Sequence, residues 1–123
     1  MISIFEREKL KRKCNKLLAK HAFQDVLDLT SEPLSRFTKD VHLRIYRIWS
    51  LVELNRQEEA LTEVNTALEL FPEDLVLMNL RGEIYYKMED YASALLDLEK
   101  AYQIEPDNLY TCYTLGQIAV AKN

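Results

Sequence analysis

Glycine and proline are scarce: the 123 residues hold two glycines and three prolines. So few turn-formers cannot supply the bends of a many-stranded sandwich or barrel, which points to helices. The same scarcity excludes glycine-dependent chemistry. A phosphate loop, a dinucleotide fingerprint and a nucleophile elbow all need glycines that are absent. Cysteine is equally rare. Cys14 and Cys112 form no CxxC pair and have no histidine at metal-finger spacing, and His21 and His42 are isolated. Unclustered thiols in a chain with enough core read as buried groups in a reducing compartment. No metal and no cofactor is therefore expected, and the expected location is cytoplasmic, with the nucleus as the alternative. No stretch approaches the ~20 apolar residues of a membrane span. The N-terminus, MISIFEREKLKRK, places its charges before any apolar run, unlike a secretory signal. No base stands beside a nucleophile, and acidic pairs such as Glu58-Glu59 and Glu89-Asp90 fall at turns, where charge is solvated. No enzymatic activity is expected.

What is present is charge, at 29%, and hydrophobic residues, at 48%, a globular balance. The net charge is −4, but it is unevenly spread. Residues 1–20 hold seven basic residues against two acidic ones, a net +5, so the rest of the chain carries −9. A basic arm on an acidic body can meet an anionic partner, or dock on its own body or a neighbour's. The acidic body repels phosphates, and no aromatic-interleaved basic stripe continues past Lys20. Neither nucleic acid nor membrane is expected as a partner; contact of residues 1–20 with either is the less favoured reading.

The chain also repeats. Shifted by 34 residues, Glu59-Ala60-Leu61 falls on Ser93-Ala94-Leu95, Ala67 on Ala101, Leu70 on Ile104 and Pro72 on Pro106. Asp74 falls on Asn108, Gly82 on Gly116 and Ile84 on Ile118. Ala60, Leu61, Val64, Ala67 and Leu68 recur at the three- and four-residue steps of one helix face, and Ala94, Leu95, Leu98 and Ala101 repeat it. Pro72 and Pro106 end these faces, and Asp107-Asn108 offers the next cap. The pattern predicts helices near 3–19, 22–30, 40–54, 57–70, 74–88, 91–104 and 108–121.

The stretch 75–108 resembles the tetratricopeptide repeat family, whose period is ~34 residues. It carries Gly82 and Tyr85 in its first helix, Asp90-Tyr91 at the break, Ala94 and Ala101 in its second helix, then Pro106. Unit 41–74 keeps Leu51, Ala60, Ala67 and Pro72. Residues 7–40 form a degenerate repeat, with Cys14 in the glycine position and Pro33 expected to interrupt the second helix early. Residues 109–123 supply only the first helix of a further, incomplete repeat. The resemblance implies a single domain over 1–123, an all-α solenoid of antiparallel helix pairs with about seven helices.

It also implies a protein-interaction module or adaptor, working within a larger assembly and binding another protein or peptide in a concave groove lined by the first helix of each unit. The register puts Glu8, Lys11, Arg12, Asn15 and Leu18 on that groove from the first helix. The third offers His42, Ile45, Tyr46, Trp49 and Glu53; the fifth Asn79, Leu80, Glu83, Tyr86 and Lys87; the last Tyr110, Tyr113, Thr114 and Gln117. Tyr46, Trp49, Tyr86 and Tyr113 are the candidate aromatic anchors. One branch of the family clamps the acidic C-terminus of heat-shock chaperones. Lys11 and Asn15 match its first two positions, but Tyr46, Val76 and Leu80 stand at the other three. An alternative is a self-associating subunit that uses its open helical ends. Cys112, Leu115, Gly116 and Ala119 form one stripe of the last helix that a further helix, or a second copy of the chain, would cover.

Overall fold

The computed structural model describes residues 4–36 and 39–122. Every regular element among them is an α-helix: α1 (Ile4–Ala19), α2 (Phe23–Arg36), α3 (Val41–Glu53), α4 (Gln57–Leu70), α5 (Leu75–Lys87), α6 (Tyr91–Ile104) and α7 (Leu109–Lys122). Residue 3, where the first helix was expected to begin, lies outside the described residues. The one clear departure is α2, which continues past Pro33 to Arg36. A proline removes one backbone donor but keeps a helical φ. The turn before it is held by side chains: the Thr30 hydroxyl donates to the Val26 carbonyl at 2.7 Å, and the Ser31 hydroxyl to the Leu27 carbonyl at 2.7 Å.

The 34-residue period is written in the backbone. His21, Asn55 and Glu89 share a left-handed conformation, with φ of 58°, 60° and 62°. Each closes a first helix with the same pair of bonds. Ala22 N donates to Leu17 O, Arg56 N to Leu51 O and Asp90 N to Tyr85 O, and in each case the residue before donates to the carbonyl three positions back. This is the double hydrogen bond of a Schellman stop. The next first helix opens on a side-chain cap at the same interval. Asp40, Asp74 and Asn108 accept from the backbone N–H of Leu43, Leu77 and Thr111. The period holds over 7–40, where the side chains follow the pattern least.

The chain forms two compact units, 1–56 and 57–123, divided between α3 and α4. In the first, Cys14, Leu18, Val26 and Leu43 form a core, with Leu10, Leu17, Phe23, Leu29 and Tyr46 packed around it. Arg47 of α3 donates to the Leu27 carbonyl and the Ser31 hydroxyl of α2, both at 3.1 Å.

In the second unit, α6 lies closely across α5. A Cβ added at Gly82 would stand 2.8 Å from two carbons of the buried Leu98 side chain, so any larger residue would have to displace Leu98 at this crossing. Leu98, Ala94 and Ile118 form the core, with Tyr85, Tyr86, Tyr91, Leu95 and Leu115 against it. Arg81 joins three helices. It holds Asp97 of α6 with two parallel bonds of 2.8 and 2.7 Å, and donates to the Asn65 carboxamide of α4 at 3.0 Å. The hydrogen bonds to Asp97 push the guanidinium pKa up, against the opposing effect of burial.

Candidate functional site

The candidate site is built on the first helices of the repeats. In the first unit, Asp40 does two things at once. One carboxylate oxygen caps α3 through Leu43 N at 3.1 Å. The other lies 3.1 Å from Lys11 Nζ and 3.5 Å from Arg7 Nε. Lys11 also reaches Glu8 at 3.4 Å. The basic helix thus docks on its own unit, and Lys11, read as a groove cation, is engaged in holding α1 to the start of α3. Arg12, Asn15 and Glu53 are exposed. Tyr46 is half-buried against the α1–α2 core, while Trp49 keeps 43% of its surface open.

In the second unit the register is corrected at several positions. Asn79 is 4% exposed and accepts a hydrogen bond from the Thr111 hydroxyl at 2.8 Å. It links α5 to α7 and is closed to a partner. Leu80 and Thr114 are buried as well, as is Leu18 in the first unit. The reason is common to all: a first helix packs on two sides, which leaves a narrower open strip than the sequence pattern suggested. Tyr86 is half-buried in the α5–α6 core, its ring 6.1 Å from that of Tyr91.

On this side of α5 and α7, Val76, Tyr110 and Tyr113 stay open, the last 66% exposed. Glu83 and Gln117 are half-buried beside this strip, and Gln117 donates to the Tyr113 hydroxyl at 3.3 Å. Val76 was noted in the sequence only as a missing lysine. Its value as an open apolar position could have been read from its place one period before Tyr110. His42 is exposed on α3, and His21 is exposed in the left-handed turn after α1. No helix among the described residues is long and apolar enough to cross a membrane.

Residues 76–108 match the tetratricopeptide repeat family model. Over 105 residues the chain is 30% identical to a DnaJ homolog subfamily C member 7 homolog of Dictyostelium discoideum, a match covering 82% of this chain and 20% of that protein. The chain thus spans about a fifth of the length of that relative. Among solved structures, it is similar to the first tetratricopeptide repeat domain of Spaghetti (RPAP3), determined with an HSP90 peptide bound. That likeness has a TM-score of 0.87 at 20% identity, over 98% of this chain and 95% of that one. The Sgt2 domain from Aspergillus fumigatus gives a TM-score of 0.85 at 20% identity, over 94% of this chain and 78% of that one. Residues 76–108 thus carry a tetratricopeptide repeat, and the described residues share the fold of tetratricopeptide repeat domains.

Proposed function

We propose that the chain is an adaptor that takes a peptide or partner surface on the faces of its first helices, as one part of a larger assembly. The observation that carries this reading is the open strip of Val76, Tyr110 and Tyr113 on α5 and α7 of the second unit; Trp49 is open on α3 of the first. Rigid aromatic side chains that stay exposed in the free protein are favoured as interface anchors. Glu83 and Gln117 supply the polar rim of the strip in the second unit, and Arg12, Asn15 and Glu53 are the polar candidates on the first unit.

The chemistry of the strip speaks against an acidic peptide as the ligand, although a structural neighbour was determined with the HSP90 peptide SRMEEVD bound. Such a ligand needs cations for its carboxylates. Lys11 is paired with Asp40 and Glu8, and Tyr46, Val76 and Leu80 bring no positive charge. An apolar segment whose side chains pack on Tyr110 and Tyr113 fits better. The free thiols of Cys14 and Cys112 support a reducing compartment, cytoplasm or nucleus. The test is affinity capture with mass spectrometry, comparing the natural chain with Trp49→Ala plus Tyr113→Ala at equal folded content. A partner held by the natural chain and lost by the variant is expected. An identical partner set for both would move the site to another face.

A further inference from the structure

The two glycines occupy the same place in successive repeats, one period apart, yet meet opposite surroundings. Gly82 on α5 is pressed by Leu98 of α6, whereas a Cβ on Gly116 of α7 would have nothing within 4 Å. The difference extends along the whole face. On α5, Leu75, Met78, Gly82, Tyr85 and Tyr86 are buried or half-buried. Their counterparts one period on are Leu109, Cys112, Gly116, Ala119 and Val120, and all five are exposed, Leu109 at 85% and Val120 at 77%. These residues follow the three- and four-residue steps of one helix side. No charged residue occurs from 109 to 121.

We propose that this outer face of α7 docks a basic amphipathic helix of a partner chain, laid on α7 as α6 lies on α5. The face continues the α6–α7 interface around the same helix, because Leu115 and Ile118 already pack with Ala94 and Leu98. The α5–α6 crossing defines the occupant's apolar side. It carries a small residue, a leucine four positions on and a small residue three further, as Ala94, Leu98 and Ala101 do. The surroundings define its polar side. Residues 57–123 hold four Lys and Arg against thirteen Asp and Glu, so Lys and Arg at the flanks are favoured and Glu is opposed. A second copy fits poorly. Another α7 would bring the same negative field, and the basic α1 has already spent Leu10, Cys14, Leu17 and Leu18 on its own core. This inference stands apart from the first-helix strip.

The protein carries its own reporter for this face. Cys112 is exposed on it, while Cys14 is buried, its thiol pushed up to about 11 by desolvation, and stays silent to alkylation near neutral pH. The probe is a synthetic helical peptide with the Ala-x-x-x-Leu-x-x-Ala side of α6 and Lys at the flanking positions. At saturation it is expected to slow Cys112 alkylation at least tenfold, and a version with Glu flanks to bind at least tenfold more weakly. Gly116→Leu has room for its side chain, so it should not lower the melting temperature and should abolish the protection. The proposal is overturned if the basic peptide gives no protection on the folded chain, or if Lys and Glu flanks bind alike. It is also overturned if light scattering of the chain alone shows a dimer that Val120→Asp returns to monomer, which would assign the face to a second copy.

Discussion

Leu98 of α6 fills the space where Gly82 of α5 lacks a side chain, at a separation of 2.8 Å from an added Cβ. Leu98 is fully buried, so it cannot swing aside. Gly82→Ala is expected to lower stability by about 1 kcal/mol, the clash outweighing the helix propensity gained, and Gly82→Leu by about 3 kcal/mol. Gly116→Ala, in open space, should raise stability by about 0.5–1 kcal/mol. Urea midpoints of the three variants check this; equal effects at the two glycines would contradict the register.

The Arg81–Asp97 pair ties α4, α5 and α6 through one guanidinium. Asp97→Ala leaves a partly buried cation without its bidentate partner and should cost about 2–3 kcal/mol. Replacing both, Arg81→Met with Asp97→Leu, should recover much of that loss, because an apolar pair needs no desolvated charge. A double-mutant cycle measures the coupling, and additive losses would show that the two side chains act independently.

Cys14 gives the folded state a pH dependence of its own. Burial raises its thiol from an ordinary 9.0 to about 11. The folded pKa is the higher one, so its contribution is fully present below about pH 9. It falls as pH rises toward 11, because the unfolded chain ionises first. The loss should approach about 2 kcal/mol. Denaturation midpoints from pH 8 to 11 should fall less steeply in Cys14→Ala than in the natural chain; parallel slopes would rule out the thiol as the cause.

Glu89 holds a φ of 62°, a conformation that disfavours a Cβ. Glu89→Gly should therefore stabilise by about 0.5 kcal/mol, the relief of strain exceeding the added freedom of the unfolded chain. Glu89→Val should destabilise. Melting temperatures moving the other way would mean the turn tolerates its glutamate without strain.

The helices were legible because the small residues and prolines that repeat at 34 positions are those fixed by close packing and helix stops. Pro33 misled, since a proline weakens one bond of a helix without ending it, and the bonds made by Thr30 and Ser31 are invisible to a pattern. The left-handed turns were hidden because His21, Asn55 and Glu89 share no residue type; only Asn55 is a usual occupant. On the first helices, a period predicts which positions share a face but not how wide the open strip is. Asn79 looked like a polar contact residue, yet the Thr111 hydroxyl two helices on donates to its carboxamide oxygen. Lys11 looked like a free cation, and the residue that engages it, Asp40, lies 29 positions on.

The claim that a partner is held on the first helices is tested most directly by the affinity of the captured partner for single variants. Tyr113→Ala is expected to weaken binding by about 2 kcal/mol, roughly thirtyfold, with Lys100→Ala on α6 as an unchanged control. If Tyr113→Ala, Tyr110→Ala and Trp49→Ala all bind as tightly as the natural chain, the first-helix account is wrong.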